Sequence, residues 1–178
     1  MSTPVNLFLR ADLAERRLCL AATAIARRGV WRAAFRAVSR LGDGIAWYLV
    51  MGAMPVLLGR SGLWVAAQMA VTGAVGLGLY KWLKSRLVRE RPYIGLVGVE
   101  CAMLPLDRYS FPSGHTLHAV CFTVIAVSHA PLLAPVLVPF AMLVAASRVV
   151  LGLHYPTDVI AGAALGALLA SASLSLAG

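Results

Sequence analysis

Two histidines, an aspartate, two arginines and a lysine are spaced along this chain as a phosphate ester would require. They lie in three short strings: Lys84-x6-Arg91-Pro92, Pro112-Ser113-Gly114-His115, and Ser147-Arg148-x5-His154-x3-Asp158. Lys84, Arg91 and Arg148 supply fixed cations. A phosphoryl group in transfer carries its charge on the equatorial oxygens, so its catalysts work mostly by positioning and by stabilising that charge. A planar guanidinium holds two phosphate oxygens at once, and an ammonium adds a point charge. Ser113 and the backbone N–H of Gly114 stand where an apolar helix is expected to begin, and a helix start offers unpaired N–H groups and partial positive charge to an anion. His154 is the candidate nucleophile. Asp158, four residues on, can accept a hydrogen bond from its imidazole, fix the tautomer and leave the other nitrogen free to attack phosphorus. His115 then stands as the acid that protonates the departing alkoxide. Cys19, Cys101 and Cys121 have no metal-binding spacing and read as packing residues.

The elements that must carry these residues are apolar. The 178 residues make one domain's length, 60% of them hydrophobic and only 13% charged, far from the balance of an ordinary soluble domain. Runs at 63–83, 132–151 and 156–177 can each span a bilayer, which takes about 20 apolar residues. Shorter runs at 44–59 and 114–130 complete an expected five spans, so the fold class is an all-α polytopic transmembrane helix bundle. Residues 1–40 form a separate amphipathic segment ahead of a transmembrane domain over 41–178. Arg28, Arg32, Arg36 and Arg40 recur every four residues, opposite Trp31, Phe35 and Val38. That pattern describes a helix in the membrane interface with its arginines toward headgroups. Gly162-x3-Gly166 in the last span allows close helix contact and reads as internal packing.

Span parity brings the chemistry together. The first string lies where the second span ends, the next where the third span begins, and the last bridges the fourth and fifth. Five spans put all three on one membrane face. Near the strings, His118 falls three residues after His115, which suggests packing or support behind the catalytic residues. Tyr109 could line the substrate entrance. Arg86, Arg89 and Arg108 read as interface anchors, and Tyr80, Trp82 and Tyr93 as interfacial aromatics.

Taken together, the three strings resemble the signature of the type 2 phosphatidic acid phosphatase superfamily over about 75 residues, Lys84 to Asp158, with no core motif position departing from it. The resemblance implies an integral membrane lipid phosphatase that forms a phosphohistidine on His154, uses His115 as acid and needs no metal or other cofactor. The superfamily acts on phosphatidic acid, phosphatidylglycerol phosphate and polyprenyl diphosphate, and includes glucose-6-phosphatase and vanadium haloperoxidases. Residues 1–40 have no assigned counterpart in it.

The net charge of +9 raises nucleic-acid binding, but the basic residues flank apolar spans, so anionic lipid headgroups are the fitting counter-charge. A lipid phosphate substrate and membrane lipids are therefore the expected partners, and nucleic acid is not; the sequence leaves oligomeric state open. Thirteen of the sixteen basic residues fall on the motif side and only Arg60 on the other. The positive-inside bias puts that side in the cytoplasm of a multi-pass inner-membrane protein. An inward site suits phosphatidylglycerol phosphate or phosphatidic acid, and an outward one suits polyprenyl diphosphate. A crossing by residues 10–28 would make six spans and reverse the parity. A non-catalytic lipid-phosphate binder or transporter on the same scaffold would need the cations but not His154, Asp158 and His115.

Overall fold

The run after residue 28 is the first to depart from the expected spans. In the computed structural model, which describes residues 4–105 and 107–177 with side chains from Asp12 onward, helix α2 (Gly29–Arg40) passes through a π turn (Leu41–Ile45) into α3 (Ala46–Leu58). The expected span over 44–59 is thus the second half of a longer helical run. Gly59, with φ of 63°, turns the chain tightly into α4 (Arg60–Arg86), a backbone angle that glycine adopts without a Cβ clash. A short α5 (Pro92–Gly95) begins the long loop, α6 (Gly114–His129) follows it, and a 3-10 turn (Pro131–Leu133) leads into α7 (Ala134–Val150) and then α8 (Pro156–Ala177). The described residues contain helices, turns and loops and no strand.

Among the described residues, four helical runs are long and apolar enough to cross a membrane: Gly29–Leu58, Arg60–Arg86, Pro131–Val150 and Pro156–Ala177. The expected five included α6. At 16 residues and about 1.5 Å per residue, α6 is about 24 Å long, less than the roughly 30 Å hydrocarbon core. It packs against α3, α4, α7 and α8, and Leu117, Ala119, Cys121 and Ile125 on it are fully buried. A helix enclosed by others has no need to match the bilayer. The surrounding helices turn Val56, Trp64, Val71, Met142, Ile160 and Leu168 outward, which suits lipid. Their inner faces bury Trp47, Met69 and Val144 in one core with Phe122 and Ile125 of α6.

Glycine sets the closest approach. A Cβ at Gly162 would lie 2.4 Å from the Ser113 carbonyl oxygen, and one at Gly166 would lie 2.3 Å from that of Leu117. The small-residue pair of α8 is therefore spent on α6, as internal packing.

The N-terminal helix α1 (Pro4–Ile25) lies along the motif end of the bundle. Asp12 pairs with Arg89, Glu15 accepts the backbone N–H of Thr157 at 2.9 Å, and Ala26 packs with Ala102 and Leu151. These contacts, made with the long loop, the α7–α8 connection and the first turn of α8, hold Asp12, Glu15 and Ala26 at the motif end. The arginine stripe of α2 also differs from expectation. Arg32 donates to the carbonyl of Ala26 and pairs with Glu100, and Arg36 donates to the carbonyl of Ala102. These two serve the protein's own loops, whereas Arg28 and Arg40 remain exposed.

Candidate active site

All three strings meet at one cavity of about 410 Å³ at the motif end. Lys84 enters it from the last turn of α4, Arg91 from the residue before α5, Gly114 and His115 from the first turn of α6, Arg148 from the last turn of α7, and His154 from the α7–α8 connection.

The connection is folded to present His154. The Arg148 carbonyl accepts the backbone N–H groups of both Leu153 and His154, at 3.0 and 3.1 Å. Gly152 has φ of 74°, and a Cβ there would stand 2.5 Å from the Glu100 carbonyl oxygen, so the turn needs glycine. The His154 Nε2 comes within 3.4 Å of an Arg91 guanidinium nitrogen, and its Nδ1 lies 3.5 Å from Asp158 Oδ2. Asp158 is itself fixed: Oδ2 accepts the Tyr155 backbone N–H at 2.9 Å and Oδ1 accepts from Arg89. Burial, followed by the positive charges of Arg148, Arg91 and Lys84, holds His154 well below the ordinary imidazole range. The ring is thus neutral near pH 7, with a lone pair to offer.

The cations are held by groups outside the motifs. Lys84 Nζ donates to both carboxylate oxygens of Asp107 at 2.8 Å and to the Tyr109 carbonyl at 3.2 Å. Arg91 donates to Asp107 Oδ1 and to the Leu153 carbonyl, each at 2.6 Å. Burial would raise the Asp107 carboxyl, but the hydrogen bonds and charges of Lys84 and Arg91 outweigh it and hold the group below the usual carboxylate range. Arg148 donates to the Ser39 hydroxyl, and its buried Nε has no partner among the described residues. A buried guanidinium donor left over beside a cavity suits an anion.

Arg89 corrects the expectation that it is an interface anchor. It is 1% exposed. Its guanidinium pairs with Asp12, Glu15 and Asp158 and stacks 3.9 Å from the centre of the Tyr155 ring. Three carboxylates around one arginine keep it ionised out of water, and one of the three is the acid facing His154. Arg86 and Arg108 are exposed, as anchors would be.

Several other expected residues sit differently. Ser113 is buried behind the cavity wall, where its backbone N–H donates to the Asp158 carbonyl at 3.0 Å and its hydroxyl pairs with Thr116. That N–H therefore helps join α6 to α8. Tyr109 contributes its main-chain oxygen to Lys84, and its ring lies under Arg108, away from the cavity lining. His118 does line the cavity, with its ring nitrogens each 3.0 Å from the carbonyls of Gly114 and Gly73, and so ties α6 to α4. Tyr80, expected at the interface, instead lines the cavity edge-on to His118, with Lys84 Nζ 5.5 Å from its ring centre.

Sequence reasoning missed Asp43, Asp107, Arg89 and Tyr80. Asp43 had a signal: it is an acid in an apolar run of a chain poor in acids, and an ionisable residue at membrane depth has to meet a partner. Asp43 Oδ1 meets His115 Nε2 at 3.2 Å. Beyond the charged end, the cavity wall is apolar and aromatic, with Trp47, Tyr48, Met51, Leu77 and Phe122.

A cavity with three cations and two histidines at one end and an apolar wall at the other defines the class, and comparison with known proteins gives the family. The model of the PAP2 superfamily matches residues 61–177. The chain belongs to this superfamily. It is similar to phosphatidylglycerophosphatase B of Bacillus subtilis (strain 168), with 39% identity over 102 residues, 51% of this chain. The match spans about half, 47%, of that relative's length. Among solved structures it resembles a transmembrane PAP2-type phosphatidylglycerolphosphate phosphatase from Bacillus subtilis, with a TM-score of 0.76 and 26% identity over 95% of this chain and 87% of that one. It also resembles LpxE of Aquifex aeolicus, with a TM-score of 0.76 and 25% identity over 89% of this chain and 93% of that one.

Proposed function

We propose that this chain is a membrane lipid phosphatase that hydrolyses a lipid phosphate monoester, phosphatidylglycerol phosphate or phosphatidic acid, through a phosphohistidine on His154. The observation that carries this reading is the buried His154, whose Nε2 faces Arg91 inside a cavity shared with Lys84, Arg148 and His115. The apolar wall beyond the cations favours a lipid over a water-soluble ester.

In the first half-reaction the phosphate oxygens lie against Lys84, Arg91 and Arg148. The Nε2 lone pair of His154 bonds to phosphorus as the bond to the lipid oxygen breaks, and His115 gives that oxygen a proton, releasing the alcohol. Asp158, whose Oδ2 lies 3.5 Å from Nδ1, stabilises the charge that the ring gains. In the second half, water attacks phosphorus and loses a proton to His115. The N–P bond breaks, and inorganic phosphate leaves. Side chains supply all the positive charge in this scheme. The site faces the cytoplasm in this reading, supported by the thirteen basic residues on its side. Residues 41–178 carry the catalytic groups in this reading, and Asp12, Glu15 and Ser39 within residues 1–40 brace Arg89 and Arg148.

The test is phosphate release by the purified protein across a panel of short-chain lipid phosphates and polyprenyl diphosphate, with and without EDTA. Release is expected from the monoesters and should persist in EDTA. Binding without turnover would mean a carrier. Activity restored only by added Mg2+ would contradict the side-chain clamp.

A further inference from the structure

The first crossing helix is broken at Asp43. Within the π turn, Asp43 has φ −84° and ψ 20°, and Gly44 has φ 130°, a region that favours glycine. The break is tightly seated. A Cβ at Gly42 would come 2.7 Å from a Val144 methyl, Trp47 Nε1 donates to the Gly42 carbonyl at 3.1 Å, and Ser39 just before the break accepts from Arg148. In a bilayer, interrupted helical backbone is tolerated where it lines a cavity, and Asp43 lines this one.

The break delivers a carboxylate to His115. Asp43 Oδ1 lies 3.2 Å from His115 Nε2. The other charged or titratable groups around this imidazole are Lys84 from α4, Arg148 from α7 and His154 from the α7–α8 connection. His115 also stands in the first turn of α6, at the positive end of a helix. Fixed cations and a helix N-terminus all oppose a second proton on an imidazole, yet a general acid must carry one. Asp43 is the group in contact with His115 that favours it.

We propose that Asp43 is the positioning residue of the catalytic acid: its carboxylate accepts the Nε2–H of His115, fixes the ring's orientation and tautomer, and leaves the proton on Nδ1 as the one delivered. This rests on the reading of His115 as acid. As His154 Nε2 bonds to phosphorus, the Nδ1 proton passes to the departing lipid oxygen, and His115 is left as the neutral Nε2–H tautomer on Asp43. In the second half, the attacking water's proton goes to Nδ1 and the imidazolium is restored. Asp43 stays ionised throughout.

The experiment uses the full chain in detergent, as wild type, Asp43→Asn, Asp43→Glu and His115→Ala. Each is assayed with short-chain phosphatidic acid, whose leaving alkoxide needs a proton, and with p-nitrophenyl phosphate, whose leaving phenolate does not. General acid catalysis contributes on the order of 100-fold or more. Asp43→Asn is expected to lower kcat on the lipid about 100-fold with little change in KM, and to lower p-nitrophenyl phosphate turnover at least ten-fold less. Its alkaline pH limb should move to lower pH, and Asp43→Glu should recover part of the loss. Because both substrates are read on one sample, the ratio is independent of how much protein has folded. Equal losses on the two substrates, or a loss confined to KM, would overturn the role of Asp43. His115→Ala separates the two readings. A selective loss there without one in Asp43→Asn removes only the Asp43 proposal, whereas a non-selective loss in His115→Ala removes the acid assignment and the proposal with it.

Discussion

At the residue scale, the chemistry we propose depends on His154 being neutral where three cations surround it. Burial and those cations both push its proton affinity down. The unperturbed imidazole value is about 6.5. The nucleophile therefore becomes protonated only at pH well below that, and it is lost as pH falls through the lowered value. The acidic limb of kcat/KM on a short-chain lipid phosphate is accordingly expected well below pH 6.5, in a profile taken from pH 4 to 9. A limb at or above 6.5 would mean that His154 is more solvated than its burial implies. His154, His115, Asp158, Lys84, Arg91 and Arg148 were legible in the sequence because each sits at a fixed offset in a short string. Asp107 and Asp43 were not, because their partners lie 16 or more residues away in sequence and are reached only through the folded loop and the helix break.

At the element scale, the N-terminal helix is part of the support for the site. Arg89 joins Asp12 and Glu15 of α1 to Asp158 of α8, and Thr157 adds its hydroxyl to both Arg89 and Glu15. Removing one partner from a buried ion cluster leaves uncompensated charge and costs about 3–5 kcal/mol. Arg89→Ala is expected to lose that much stability in detergent, measured by thermal or chemical unfolding, together with most of its activity. Arg86→Ala, at an exposed position, should resemble wild type. Equal behaviour of the two variants would mean that the cluster is not formed in the membrane. In the sequence, both arginines follow an apolar span and look alike. Only the packing of α1 on the α5 and α8 loops distinguishes them. The amphipathic pattern of α2 was legible as a helix, but which of its arginines would turn back to the protein was not, since that depends on the Ala102 and Glu100 loop.

At the scale of the whole molecule, the apolar excess and the parity of the spans predict motifs that converge at one end, and the cavity gathers them there. The expected count of five includes α6, which at 16 residues is shorter than the four long apolar helices among the described residues; it still runs from the cavity to the far end, where His129 meets Gln68, as the parity requires. The side on which that end lies follows in our proposal from the basic residues. In a cysteine-free background, a cysteine at exposed Val97 in the motif-side loop should be shielded in intact cells from a membrane-impermeant maleimide. One at Ser61 on the opposite turn should be labelled. The reverse pattern would put the site outside and favour polyprenyl diphosphate.

The most direct test of the central claim is phosphate release from a short-chain lipid phosphate by His154→Ala, with His154→Asn as a second variant that keeps a polar side chain in the buried position. Both are purified in detergent and matched to wild type by elution profile and unfolding temperature. Loss of a covalent nucleophile costs on the order of 10⁴-fold or more in kcat, and a loss of that size is expected in both variants. Turnover within about ten-fold of wild type in a folded His154 variant would contradict the phosphohistidine mechanism.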